Sequence, residues 1–597
     1  MTVSDRRIQS VTTNIQEKST LIWNVAGTLR GPFKPHEYGL VILPMTVIKR
    51  FHDCLLPTHE AVLKKYNELN RRNLQVKDGF LRRVSGYQFY NTSPFVFETL
   101  LADSQNIESN FKAYLSGFSD NVQDILARFD FAPIIGRMVE SGTLYQTVSE
   151  FNSARAYMGP DRISAVDMGY IFEDLVRRFS ESYDEEAGAH FTSRDIIYLM
   201  TDLLVDGDRD AFGKDGGSKT VYDMAMGTSQ MLTCMEERIH QLDTNIEVTC
   251  FGQEINPQTF AIAEADMLIR GGDTNNMRYG DTLSDDQFSG YEMSYVISNP
   301  PFGIDWKKEA DAVEAEYKLG DQGRFAPGLP PKDDGQMLFM LNGIKKLRPD
   351  GRMAIIQNGS SLYTGDAGSG SSEIRRYLIE HDLLDAIVQL PNDAFYNTGI
   401  ATYIWIIEKA KPSNRAGKVE LIDASNCYEK RRKNIGKKRV DITDACRSLI
   451  VTAYGEFREK VHTATTAIGA EISCESRIFN GEDFGYRKVI VESPMLGKAG
   501  KPTLKEGKPV PDKARRDAEN IPLKENSDTY MAREVLPYKP GAWIDGSKTK
   551  LYYEIAFTRY FYKFKPIEPF KSIMSRIEKR QKRLLDDLEK FSKKAGE

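Results

Sequence analysis

The chain has 597 residues, 41% of them hydrophobic and 28% charged, and its 80 Lys and Arg against 85 Asp and Glu leave a formal net charge of −5. That length suffices for about three or four domains with large buried cores, which excludes disordered, collagen-like and mini-protein classes. The charge excludes a surface that is basic all over, although local patches or a partner could still meet nucleic acid.

No run of eighteen apolar residues occurs, and the N-terminal MTVSDRRIQS lacks a charged region leading into an apolar stretch. Neither a membrane span nor a signal peptide is expected, and the protein is expected to be cytosolic. The six cysteines, at 54, 234, 250, 427, 446 and 474, show no CxxC spacing and no His cluster. Reduced thiols are expected, with no disulfide framework and no metal.

Residues 1–175 carry apolar positions at helical spacing, as in 20–29, 38–54 and 61–70, broken at Gly31, Pro32, Pro35 and Pro57. They predict an N-terminal α-helical domain. From 176 to 425 the pattern changes to short β-rich runs alternating with amphipathic helices: 220–226, 246–255, 295–302, 351–358, 384–391, 401–409 and 418–424. This alternation predicts an α/β domain on a mainly parallel sheet, with ligands at the carboxyl ends of the strands. A C-terminal extension is expected over 426–570. It holds a run with seven basic residues in ten (430–439), read as a solvated loop with DNA phosphate contact as the alternative, and a Lys/Gly/Pro-rich connector (494–513). A helix is predicted over 571–597, with Ile577, Leu584, Leu588 and Phe591 on one face.

The sharpest signal is Asn299-Pro300-Pro301-Phe302, directly after the apolar strand Tyr295 to Ser298. A strand ending in a rigid Pro-Pro turn can aim one amide side chain and main-chain carbonyls at a pocket. The Asn299 oxygen and the Pro300 carbonyl can accept both hydrogens of an exocyclic amine, and Phe302 can stack on the ring that bears it. Upstream, Asp223 leads into Gly227-Thr228-Ser229-Gln230, a small turn opening a helix, where backbone can approach a ligand and free N–H groups face it. Glu254 ends the following strand, where a carboxylate in a nucleotide-binding α/β fold accepts from ribose hydroxyls, and Asp281 offers a carboxylate suited to an adenine amine. Singly, each could be a cap, a turn or a core ring. Four in this order, each at a strand end, weigh against coincidence.

The series resembles an S-adenosylmethionine-dependent adenine-N6 DNA methyltransferase, and more closely the modification (M) subunit of type I restriction-modification systems. Leu21 to Asn24, Leu29 to Gly31 and Glu37-Tyr38 are similar to that family's N-terminal helical domain. Gly188-Ala189-His190-Phe191-Thr192-Ser193 resembles its Gly-x-x-Phe/Tyr-Thr-Pro motif, and Asn358-Gly359, Leu390-Pro391, Phe395-Tyr396 and Thr398 to Ile400 match its later catalytic half. The resemblance implies a Rossmann-like methyltransferase domain in which Gly188 to Ser193 and the turn Gly227 to Gln230 line the methionine end of S-adenosylmethionine, with Asp223 also among the cofactor-binding residues. Glu254 would hold the ribose and Asp281 the cofactor adenine. Asn299 and Pro300 would bind the target amine, and Phe302 would stack on the flipped base.

It further implies double-stranded DNA as substrate, a specificity (S) subunit that reads the sequence, restriction (R) subunits, and two M per S, with the C-terminal helix suited to packing on the S subunit. The chain departs from the family's Asp-Pro-x-x-Gly-Thr/Ser-Gly at Met224, Ser229 and Gln230, and has Ser193 where the family has Pro. A missing Gly at 229 or 230 is expected to crowd the cofactor. None of the cysteines follows a Pro, which excludes cytosine-C5 chemistry. Two alternatives stand beside this reading: an amino-methyltransferase for RNA or protein, since the motif reads a planar amine, and a DNA-clamping scaffold with a degenerate cofactor site.

Overall fold

The computed structural model describes residues 18–182, 192–206, 217–396, 398–497, 500–564 and 568–594. It divides into two compact units, Met1–Ile555 and Ala556–Glu597.

The helical part is built around α1 (Tyr38–Leu55), which is apolar on nearly every side and buried at every position but Leu40. A helix apolar all round has to sit inside. Its buried Lys49 pairs with Asp53 at 2.8 Å, which also accepts the Met158 N–H at 2.7 Å, while Arg50 donates to the Met158 carbonyl. A further long helix, α2 (Ala165–Ser182), precedes the sheet.

The main sheet has ten strands. The first eight in the chain are β1 (Ser218–Asp223), β2 (Glu247–Glu254), β3 (Met277–Tyr279), β4 (Met293–Ser298), β5 (Leu347–Asn358), β6 (Leu384–Gln389), β7 (Thr402–Glu408) and β8 (Lys418–Asn426). After the hairpin β9 (Glu429–Ile435) and β10 (Lys438–Asp441), β11 (Lys460–Thr465) and β12 (Glu471–Asn480) rejoin it. The spatial order is β11-β12-β8-β6-β7-β5-β4-β1-β2-β3. Every residue of β4 and β7 is buried, which is why these strands read as continuous apolar runs.

Helices α3 (Gln230–Leu242) and α4 (Pro257–Arg270) cross over between the first strands. Ala261, Ile262, Ala265 and Leu268 of α4 join the core of the helical domain, whereas Phe260, Ala263 and Met267 join the core against the sheet. One helix thereby fastens the two domains together.

Three expectations need correction. The sheet is mixed: the pairs β1–β2, β1–β4, β2–β3, β4–β5 and β6–β8 are parallel, but β7 runs antiparallel to both β5 and β6, and β12 antiparallel to β8 and β11. The boundary expected at 425 falls inside the sheet, because β11 and β12 add to its far edge. Residues 430–439 form most of the hairpin β9–β10 and not a loop.

Beyond the sheet, β13 (Gly485–Glu492) pairs with β14 (Asp517–Pro522) and β15 (Trp543–Tyr553) in a small antiparallel sheet. The connector between β13 and β14 is exposed but carries the short antiparallel ladder 504–505 with 508–509. In the second unit, α5 (Phe570–Lys594) exposes Phe570, Met574, Ile577, Leu584 and Leu585, while the side chains of Leu588 and Phe591 lie outside the described residues.

Candidate active site

The strands β4, β1, β2 and β3 are neighbours in the sheet and parallel, so their carboxyl ends line up along one edge. Asn299, Asp223, Glu254 and Asp281 each stand at or just past one of those ends.

Asp223 is fully buried. Its Oδ1 accepts from the Ser298 hydroxyl at 2.7 Å and the Ala225 N–H at 3.0 Å, while Oδ2 has no hydrogen-bond partner among the described residues. Burial, with the nearby Glu254 charge adding to it, pushes the carboxyl up to about 7 against the opposing bonds from Ser298 and Ala225. Glu254 is held from both sides: Oε2 accepts the Gly227 N–H at 2.9 Å and Oε1 the Asn256 N–H at 2.8 Å. Burial raises its pKa, and those two N–H bonds oppose the rise. The next residue, Ile255, leaves 57% of its surface exposed.

The turn after β1 carries two left-handed residues, Gly227 at φ 54° and Ser229 at φ 65°. At Gly227 the conformation, and not crowding, requires glycine, since an added Cβ would meet only the Thr259 methyl at 4.0 Å. Ser229 adopts the same region with a Cβ, at a cost of about 1 kcal/mol. Its Oγ is buried with no partner among the described residues. Gln230 is held by its neighbours. Its Nε2 donates to the Cys234 sulfur at 3.5 Å, and its Oε1 lies against Gly169 of α2, 2.2 Å from where a Cβ at 169 would sit.

Asn299 is 6% exposed. Its Nδ2 donates to the Thr192 hydroxyl at 2.8 Å, and this bond directs Oδ1 along the other branch of the amide. The structure therefore brings the end of the 188–193 motif onto the Asn-Pro-Pro-Phe turn. Gly188, Ala189, His190 and Phe191 lie outside the described residues. Ser193, next in the chain, accepts from the buried Lys438 ammonium at 3.1 Å. Phe302 is 8% exposed and belongs to the core cluster against the sheet, so little of its surface is open to a base.

Asp281 is occupied locally: Oδ1 accepts the Leu283 N–H at 3.1 Å and Oδ2 the Ser284 hydroxyl at 2.6 Å. The turn it caps is pinned by Arg324, which donates to the carbonyls of Thr282 at 2.6 Å and Leu283 at 3.0 Å and pairs with Glu316 at 2.6 Å. Sequence reasoning missed Arg324, Ser298, Gly169 and Lys438. A buried arginine or lysine reads in a sequence like any surface cation, and Gly169 gains meaning only from its neighbour 61 positions on. Ser298, directly before Asn299, was the one open to inference.

Residues 164–480 match the N-6 DNA Methylase family, and residues 19–151 match the HsdM N-terminal domain. Similar proteins include the type I restriction enzyme MjaIX methylase subunit of Methanocaldococcus jannaschii, 25% identical over 433 residues that span 69% of this chain and 74% of that protein. The type I restriction enzyme HindI methylase subunit of Haemophilus influenzae is 30% identical over 300 residues, 49% of this chain and 63% of that one. Among solved structures, the type I restriction-modification system methyltransferase subunit from Streptococcus thermophilus shares the fold, with a TM-score of 0.61 at 23% identity over 79% of this chain and 97% of that chain.

Proposed function

The chain belongs to the N-6 DNA methylase family, and from that premise we propose that it is the methylation subunit of a type I restriction-modification enzyme, moving a methyl group from S-adenosylmethionine to N6 of adenine in double-stranded DNA. The observation that carries this reading is the Asn299 amide, oriented by Thr192 at a strand end adjacent to the Asp223 strand.

The residues at the ends of β1 and β2 fit the methyl donor. A fully buried carboxylate oxygen on Asp223 and a buried Ser229 hydroxyl, both without partners among the described residues, are costly unless a ligand supplies cationic or donor groups. S-adenosylmethionine would supply an already activated sulfonium methyl group. Glu254, fixed by the two N–H groups, would accept from ribose hydroxyls, Ile255 would give an apolar seat to the adenine ring, and Asp281 would border that ring.

At the target, the amine of adenine is a poor nucleophile because its lone pair is delocalised into the ring. Acceptance of its two hydrogens by Asn299 Oδ1 and the Pro300 carbonyl would favour the pyramidal nitrogen that forms during attack, a gain specific to the transition state. Extruding the base costs a few kcal/mol. With so little of Phe302 exposed, stacking on its face requires the segment after the Pro-Pro turn to shift.

Sequence recognition would come from a specificity subunit, with two methylation subunits per specificity subunit and restriction subunits joining them. The exposed apolar residues along α5 suit helix packing with such a partner.

Asn299→Ala should lower methyl transfer to duplex DNA by at least about 10²-fold, measured with labelled S-adenosylmethionine and a co-expressed specificity partner, while cofactor affinity by calorimetry stays within twofold. Transfer near the parental rate would refute the assignment. Absence of cofactor binding in the parent, with the partner present, would favour the scaffold reading.

A further inference from the structure

The hairpin β9–β10 carries seven cations between 430 and 439, and the structure spends two of them on itself: Arg431 pairs with Asp441, and Lys438 with Asp195 at 2.9 Å. The side chains of Lys430, Arg432, Lys433, Lys437 and Arg439 are exposed and form no ion pair among the described residues. Five like charges on one two-stranded ribbon repel one another. On a chain of net charge −5 they form a local concentration that its average hides.

The ribbon is also rooted. The Lys437 N–H donates to the Tyr396 carbonyl at 2.7 Å and the Arg439 N–H to the Asp393 carbonyl at 2.9 Å, so β10 is fastened along the 393–396 segment. Between them Lys438, 1% exposed, reaches inward to the Ala394 carbonyl at 2.9 Å, the Ser193 hydroxyl at 3.1 Å and Asp195. Asp195 also accepts the Ile442 N–H at 2.8 Å. Burial raises the Asp195 carboxyl, but the Lys438 ammonium and the bonds from Ser193 and Ile442 outweigh it and hold it below its ordinary value. Ser193 is covalently next to Thr192, the residue that orients Asn299. The root of the ribbon is thus one residue removed from the target-amine site, and a buried ion pair holds it there.

Resting on the DNA methyltransferase reading above, we propose that β9–β10 docks on the phosphate backbone of the DNA that flanks the adenine presented to Asn299, with Lys438 fixing the ribbon to the site. Each lysine or arginine that neutralises a phosphate releases counterions, so its contribution appears in the salt dependence of binding.

The test uses the full chain co-purified with its specificity partner and a fluorescent duplex titrated between 50 and 200 mM salt. In the variant Arg432→Gln/Lys433→Gln/Arg439→Gln, the slope of log affinity against log salt should become less steep by about two to three, at ~0.9 per phosphate. S-adenosylmethionine affinity and recovery of the partner should stay within twofold of the parent. A charge-matched variant of exposed lysines on the connector, Lys505→Gln/Lys508→Gln/Lys513→Gln, should leave the slope unchanged. An unchanged slope in the hairpin variant, or an equal change in the connector variant, overturns the proposal while leaving the methyltransferase reading intact. Loss of the partner with an unchanged slope overturns it in favour of a protein contact. A parent complex that binds no DNA overturns both.

Discussion

Replacing Asp223 by Asn should stabilise the protein and abolish its use of the methyl donor. The Asp223 carboxyl lies at about 7 in the folded chain against an ordinary 3.8, because burial penalises the charge. At ~1.4 kcal/mol per pH unit, that gap amounts to on the order of 4 kcal/mol. Since the folded value is raised, the native state holds the proton where the unfolded chain has lost it. The parent therefore loses stability as pH rises from about 4, and the loss is complete above about 7. Asn can keep the Oδ1 bonds from Ser298 and Ala225. Its Nδ2 stands where the protonated acid would place its own unmet donor, so the variant matches the neutral parent and escapes the pH-dependent loss. Its advantage should grow from ~1–2 kcal/mol at pH 5 to ~4 kcal/mol at pH 8.5, where each kcal/mol moves the midpoint by about 1–2 °C for a domain of this size. Calorimetric scans across that range measure it. An advantage equal at both ends, or a variant less stable at pH 8.5, would refute the reasoning. The parent's affinity for S-adenosylmethionine should fall as pH drops below 7, because a cationic ligand needs Asp223 ionised.

Gly169→Ala should displace Gln230 into the turn after β1 and weaken cofactor binding, although alanine in a helix is intrinsically better by up to about 1 kcal/mol; adding Gln230→Ala should restore binding, and failure of that rescue in calorimetry would dissociate the two positions. Phe302→Ala should cost about 3–5 kcal/mol in urea unfolding because the ring is core, so loss of activity in this variant does not isolate stacking; an unchanged midpoint would show the ring to be uncovered in solution. Arg324→Met should strand Glu316 and release the 281–284 turn, costing ~3–5 kcal/mol and weakening cofactor affinity, with a midpoint within a degree of the parent as the contrary result.

How much of this was legible follows from which forces act locally. Central strands covered on both faces have to be continuous apolar runs bounded by turns, so β4, β5 and β7 could be read within a few residues, as could β1 and β2 beside them, and with them the strand ends that carry Asp223, Glu254 and Asn299. The edge strand β11 and its neighbour β12 mix polar and apolar residues and look like ordinary extension, since only the pairing of β12 with β8, and of β11 with β12, makes them part of the sheet. A hairpin such as β9–β10 is set by anchors at Asp195 and at 393–396, far away in the chain. The departures at 229 and 230 were visible as letters, but not their accommodation: one is absorbed as backbone strain and the other by a missing side chain on another helix.

Glu254 joins two loops that a contact map of the ligand would treat as separate. Its carboxylate ties the Gly227 amide of the turn after β1 to the Asn256 amide that opens α4, so the floor proposed for the sugar and the wall proposed for the amino acid share one fastener. A substitution there unfastens both at once. Lost affinity in such a variant would measure the coming apart of a frame, and an assay reading only binding would credit the ribose with a debt owed by the whole cradle.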